Sequence, residues 1–519
     1  ESTRISHHRD RLQGGVQAGD EYFNSGKTVT CRYLFYPMTA RYLFEARTLA
    51  NDDPAAVARV RFYELPEGLP SLAVRSPGKL EPRRFGHIDE DQTLETSLAR
   101  DNPEMMKFEN RVKMITDRLL DYLDYTGQNA FHYPVLRYGS MVYYSREGTA
   151  GCPEVLAGQR GELPYFIEAF RRRGKQFTGC FSLFNLPEFD KENELDGVSP
   201  IRGEMLLRDR NGDEVMGIGT HAPIANFIHP EVQKRYLRHV RELLDIHGRQ
   251  PGFNGFDYWV SSFGWKTLET GYGDYTVGRF TADTGIPVPK TGRYEFLTGK
   301  CREQWLNWRA RQVTEFVRAL RRLMDEYNPE LPLYVTYPIN SFEGQLREPY
   351  AEFGVEVPAL AAIGRVRVGQ TFPQTLERWN AHWGREPSRF NDVLYDPAFY
   401  REGGRNGLDS ASLFLNYFET FTPSPDNENF RSYFQNADPK PFGRWFLKAP
   451  VFNVAVLDVR EILIGGQPLG SWGRDDEIRE FTQAFCALPR LPFHTVKGSP
   501  DPIAVRYLET EDGTYFYQI

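Results

Sequence analysis

The chain is 519 residues long, carries 63 Lys+Arg against 70 Asp+Glu for a formal net charge of −7, and holds five cysteines. That mild acidity argues against nucleic acid as a partner, and Cys31, Cys152, Cys180, Cys301 and Cys486 form no CxxC pair that would point to a zinc site or a disulfide framework. No run approaches the ~18 consecutive apolar residues of a membrane span, and residues 1–10 are charged and polar where an export signal would be apolar.

A length well beyond the roughly 250 to 300 residues of one core predicts a large domain with an accessory piece. Residues 27–67 read as strand-rich (VTCRYLFY, TARYLFEARTL, AAVARVRFYEL), and a Pro- and Gly-containing linker follows to Pro82, so residues 1–82 are expected to form a small β-domain and linker. From residue 83 to 492 eight strands are expected: RRFGHI, NAFHYPV, QFTGCFSLF, GFNGFDYWV, PLYVTYP, RVRVGQTF, SLFLNYFE and VFNVAVL. Amphipathic helices separate them, among them FENRVKMITDRLLDYLDYT, PEVQKRYLRHVRELLDIHG and the long segment from Arg302 to Tyr327, each with apolar residues at helical spacing. Such alternation means a parallel sheet, and eight units over this length fit an α/β fold of the (β/α)8 barrel type. A doubly wound open sheet is the second choice, since no GxGxxG follows a strand. MLLRDRNGDEVM, with Asn211-Gly212 at its centre, reads as a hairpin that could roof one side of a cleft. EIREFTQAFCALP reads as a closing helix, and residues 493–519 as two β-strands around Glu511-Asp512-Gly513 that pair with the accessory β-domain or begin a further module.

Functional groups of such barrels sit at the carboxyl ends of the strands. Taken strand by strand, that rule selects His87, Asp89, Glu90 and Asp91; His132, Tyr133 and Arg137; Asn185 and Glu188; Asp257, Tyr258, Trp259 and Ser261. The later strands supply Tyr337, Asn340 and Glu343; Gln370; Asn416, Tyr417 and Glu419; and Asp458, Arg460 and Glu461. Carboxylates, amides and aromatics dominate, which is the inventory of glycosidic bond cleavage: a protonated acid releases the leaving oxygen while an ionised one attacks or stabilises the sugar. Asp257, set among aromatic residues, suits the acid, and Glu419, closing an apolar strand, suits the nucleophile. The binding residues expected around them are His87, Glu90, His132, Tyr133, Asn185, Tyr258, Trp259, Tyr337, Glu343, Gln370, Asn416, Arg460, Glu461 and Trp472. Trp259, Trp265, Trp379 and Trp472 are candidate stacking platforms, in a chain with 37 Phe, 28 Tyr and 8 Trp.

Four segments carry a family likeness: TGQNAFHYPV, GFNGFDYWV, GDYTVGRFTADTGIPVP with WLNWRARQV, and ALPRLPFHTVKGSPDPIAVRYLETEDGTYFY. Together they resemble the TIM-barrel glycoside hydrolases of the retaining clan-A superfamily that includes β-galactosidase-like enzymes, especially bacterial barrel-hydrolase-like proteins. The likeness spans most of residues 84 to 519 and is one of architecture. It implies an acid/base after strand four and a nucleophilic glutamate after strand seven, here Asp257 and Glu419. The superfamily's strand-four motif is Asn-Glu, whereas this chain has Phe256-Asp257, a side chain one methylene shorter.

The resulting expectation is a retaining glycoside hydrolase acting on an oligo- or polysaccharide, with no cofactor and no metal. Arg137, Arg365, Arg367 and Arg460 would suit acidic or sulfated sugars. A non-catalytic carbohydrate-binding barrel is the alternative. A metal-assisted hydrolase using His87 and residues 89 to 91 is a third reading. The compartment stays open between the extracellular or periplasmic space and the cytoplasm, and the oligomeric state is not legible.

Overall fold

The computed structural model describes residues 2–8, 17–23, 43–48, 58–64, 77–89, 108–137, 140–147, 161–182, 200–215, 223–338, 349–373, 407–415, 417–424, 427–437, 447–466, 475–498 and 503–519. Strands β1 (Ser2–His8), β2 (Gln17–Phe23) and β3 (Leu43–Thr48) form an antiparallel sheet in the order β2-β1-β3. The third strand expected there is not one over its described part. Residues 58–64 are exposed and without regular structure.

Eight parallel strands build the body: β4 (Arg84–Asp89), β5 (Ala130–Arg137), β7 (Gln176–Ser182), β8 (Phe253–Trp259), β9 (Leu333–Pro338), β10 (Val366–Pro373), β11 (Leu408–Leu415) and β14 (Glu461–Gly466). They run in the order β4-β14-β11-β10-β9-β8-β7-β5, and β4 pairs with β5 to close the ring. The protein is therefore a TIM barrel. A short β6 (Ser140–Met141) folds back on β5. Closure depends on a glycine, since a Cβ on Gly86 would lie 2.3 Å from the Ala130 carbonyl oxygen across the β4–β5 seam.

The helices follow from their sequences. α1 (Phe108–Thr126), α2 (Leu163–Arg172), α3 (Pro230–His247) and α5 (Arg302–Asp325) occupy predicted segments, and α4 (Asp274–Thr284) is a helix for which the sequence reading made no expectation. In α3 a proline starts the helix, the His229 side chain caps it by accepting from the Glu231 amide at 3.2 Å, and Val232, Tyr236, Val240, Leu243 and Leu244 recur on one buried face. α4 ends at Gly285 in the left-handed conformation, φ 72°. No helix among the described residues is long and apolar enough to cross a membrane.

The last two strands differ from the sequence reading. VFNVAVL lies in a helix, α6 (Lys448–Leu457), and the eighth strand is EILIGG, which follows it. A seven-residue apolar run satisfies either state, and only its packing outside the ring against Phe85 and Ile462 decides. SLFLNYFE is likewise split. β11 ends at Leu415, and Tyr417–Ser424 forms β12, paired antiparallel with β13 (Asn427–Ala437) in a separate ribbon.

α7 (Asp475–Cys486) closes the barrel, and Phe481 and Phe485 pack on Phe85 of β4. The tail forms the expected hairpin, β16 (Val505–Thr510) and β17 (Gly513–Gln518), turning at residues 511 and 512. Its third strand is β15 (His494–Thr495) and not a strand of the N-terminal sheet. Tyr517 reaches Asp458 (2.7 Å), whose carboxylate pairs with Arg83 at 2.6 Å, while the Arg83 guanidinium lies over the rings of Phe485, Phe493 and Tyr517. The hairpin thereby fastens the start of the first barrel strand to the residues just before the eighth.

Candidate active site

In a barrel strand, alternate side chains face the lumen and the helices. On β8 the lumen side carries Gly255, Asp257 and Trp259, while Phe256 and Tyr258 enter the core beneath the helices. Two layers of the lumen are clear. Nearer the carboxyl ends, Ile88, Cys180, Trp259 and Leu463 meet as a small apolar cluster. Below it is a polar layer of fully buried His132, Asp257, Tyr334 and Glu461.

Asp257 accepts three hydrogen bonds. Thr336 donates to Oδ1 at 2.8 Å, and the Trp259 indole N–H and His132 Nδ1 each lie 3.1 Å from Oδ2. The other imidazole nitrogen, Nε2, lies 3.2 Å from Glu461 Oε1. Glu461 Oε2 accepts from the Tyr334 hydroxyl at 2.9 Å and pairs with Arg490 at 3.0 Å. The Tyr334 oxygen accepts in turn from Arg84 (2.7 Å) and Arg367 (2.8 Å), and Arg490 also pairs with Asp409.

The protonation states follow from this wiring. Burial by itself would raise the Glu461 pKa, but the Arg490 charge, the His132 hydrogen bond and the Arg84 charge overcome it and hold the group well below the carboxylate range. Burial likewise disfavours a charged His132, yet its hydrogen bonds to Asp257 and Glu461 and their charges outweigh that cost and raise its pKa. With a carboxyl oxygen facing each ring nitrogen and its pKa raised, the His132 ring carries donors at both nitrogens, an imidazolium.

Several expected binding residues face away from the lumen. His87 packs against Tyr122 of α1, both ring nitrogens buried without a hydrogen-bond partner among the described residues, and burial drops its pKa to about 3. Tyr133 stacks with Phe131 and meets Phe166 of α2. Tyr258 donates to the Phe263 carbonyl and packs on Tyr236 and Phe316. Tyr337 donates to Gln370 Oε1 at 2.9 Å on the outer side of the wall. Trp265 is core, under the Arg309 guanidinium and against Phe227. The cause is common to all: both faces of these strands are buried, so polarity does not mark which face looks inward.

A second group lies at the opposite end of the barrel. Glu461 opens β14 instead of following an eighth strand, and Arg460 and Asp458 precede it. Arg460 pairs with Asp409 at 2.8 Å, Arg367 is the second residue of β10, and exposed Arg365 pairs with Glu330. These three arginines are structural cations at the amino end and do not supply a site for acidic sugars at the mouth. Of the expected residues, His132, Asp257, Trp259 and Glu461 are brought together; Tyr334 and Thr336 join them, and only strand parity opposite Asp257 could have flagged those two.

Glu419 lies on β12, paired with Gln435, four residues past the end of β11. Glu90, Asp91, Asn185, Glu188, Asn340, Glu343, Trp379, Asn416 and Trp472 lie outside the described residues. The expected hairpin is present: Val215 donates to the Leu207 carbonyl at 3.1 Å, Gly212 turns with φ 90°, and the Gly271 amide beyond β8 donates to the Arg208 carbonyl at 2.7 Å. It therefore sits on the mouth side.

No sequence family and no curated protein matches the chain. Among solved structures it is similar to a catalytic mutant of a GH42 β-galactosidase from G. stearothermophilus, with 11% identity, 80% of this chain and 58% of that chain covered, and a TM-score of 0.50. A β-galactosidase from the psychrophilic Marinomonas ef1 (11%, covering 77% and 59%, TM-score 0.46) and α-L-fucosidase isoenzyme 2 from Paenibacillus thiaminolyticus (10%, covering 78% and 49%, TM-score 0.43) are also similar. The chain thus spans about half to three fifths of the length of these proteins. At 11% identity the likeness to the G. stearothermophilus structure establishes a shared barrel fold alone.

Proposed function

We propose that the chain is a glycoside hydrolase whose substrate binds at the carboxyl-terminal mouth of the barrel. The observation that carries this reading is a lumen-facing carboxylate, Asp257, on strand four of a closed (β/α)8 ring, two residues from the strand's end. In the full form of the proposal Glu419 is the nucleophile, Asp257 the acid/base, and a covalent glycosyl-enzyme forms with net retention, which needs the carboxyl groups about 5 to 5.5 Å apart. Asp257 reaches a sugar only when Trp259, which lies over it, swings aside. The test is turnover of aryl glycosides by Glu419→Gln and Asp257→Asn, with the anomer first released read by proton NMR. Each substitution is expected to lower kcat by about 10²- to 10⁴-fold. Undiminished turnover in Glu419→Gln would refute its role, and a first product of opposite anomeric form would refute retention.

The seal over Asp257 favours a second reading, a non-catalytic carbohydrate-binding barrel. It predicts oligosaccharide affinity without release of reducing ends. Affinity that Trp259→Ala removes, in a protein inert toward every aryl glycoside tried, would select it.

A further inference from the structure

His132 is the one described residue that joins both buried lumen acids. It stands on β5, faces Asp257 from β8 and Glu461 from β14, and lies edge-on to the Tyr334 ring of β9, centroids 4.8 Å apart. The charged groups around this set are Arg84, Arg367 and Arg490, all on the Glu461 and Tyr334 side. On the other side, among the described residues, Asp257 has no cation except His132 within hydrogen-bonding reach; its remaining partners there are the Thr336 hydroxyl and the Trp259 indole. The indole N–H shares Oδ2 with the imidazole, so the position of one donor constrains the other. Trp259 is also the lumen residue at the very end of strand four, where barrels place the groups that meet substrate.

We infer that His132 is a positioning residue: as an imidazolium bonded at both nitrogens, it ties the Asp257 carboxylate to Glu461 and, through Asp257, fixes the Trp259 indole as the floor of the barrel mouth. The chain of contacts runs Arg490, Glu461, His132, Asp257, Trp259, from the base of the lumen to its upper layer. It carries no bond-making step. Its effect is to hold one aromatic plane in one orientation, which lowers the ordering cost of stacking a sugar ring on it, as the carbohydrate-binding reading requires, and opposes the Trp259 movement that the catalytic reading needs. Only the words "floor of the mouth" rest on the proposed function; the wiring itself does not.

The experiment uses the full chain carrying ¹⁵N-histidine and ¹⁵N-tryptophan. As the pH is raised past about 6.5, where an ordinary histidine loses its charge, one of the ten histidines is expected to keep the two-N–H imidazolium pattern after the others have lost it, and that pattern is absent from His132→Gln. In the same variant the Trp259 indole N–H, assigned by Trp259→Phe, is expected to shift and to exchange with solvent about tenfold faster or more. Should His132→Gln fail to fold, raising the pH on the unaltered protein serves instead, with the ring and indole signals expected to move together. A His132 ring that turns neutral together with the other histidines, or an indole signal indifferent to its loss, overturns the inference. Both signals are read without sugar, so a folded protein that shows them and binds no glycan counts against the proposed function and not against this chain of contacts.

Discussion

The two ends of the barrel lumen are built on opposite principles. At the amino end a lattice of ions and hydroxyls fills the bore, from Arg84, Arg367 and Arg490 through Tyr334 to Glu461. One layer up, the bore is filled by four side chains without a formal charge, Ile88, Cys180, Trp259 and Leu463. Among the described lumen residues the formal charges are therefore concentrated toward the amino end, and a buried cluster of titratable groups there marks architecture before chemistry. His132 and Asp257 stand at the boundary and belong to both.

Strand β14 lets the two ends be compared directly, because Glu461 and Leu463 project into the same lumen two residues apart. Glu461→Ala strips His132, Tyr334 and Arg490 of their shared acceptor, and leaving such groups unpaired should cost about 3 to 5 kcal/mol. Leu463→Ala opens a cavity in the apolar layer and should cost about 2 to 5 kcal/mol, toward the lower end if Trp259 settles into the space. Denaturant midpoints on both variants check the order. Equal or reversed losses would mean that the ionic lattice contributes little net stability and that the bore is held by packing alone.

A third, smaller effect is in the pH dependence. Glu461 is held below its ordinary 4.5, so its contribution is present above that pH and is lost as the pH falls through its folded value. His132 is raised above 6.5, so its contribution is complete below that pH and fades as the pH climbs to its folded value. Stability from this lattice is thus greatest between those two ordinary values. Thermal midpoints should fall on the alkaline side for the unaltered protein and less so for His132→Gln; parallel curves would dissociate His132 from the alkaline loss.

Much of the fold was legible because it is written in periodicity. The long helices and the first six barrel strands follow from spacing, and the hairpin at Asn211-Gly212 from turn chemistry. VFNVAVL was not legible, since a short apolar run fits a buried strand and a buried helix equally. That one exchange also moved Glu461 from the mouth to the base, because the strand it was thought to follow is the helix before its own strand. The site was harder than the fold. Position along a strand names an end of the barrel, but facing is a matter of parity, and His87, Tyr133, Tyr258, Tyr337 and Gln370 each sit one residue away from a lumen position.

The terminal hairpin carries one more lesson. A ring of strands is weakest where its first and last members meet, and here Tyr517, through Asp458 and Arg83, buckles that joint from outside. The final two strands look like a dispensable surface ornament, yet trimming them would remove a brace from the joint between β4 and β14, the first and last strands of the ring.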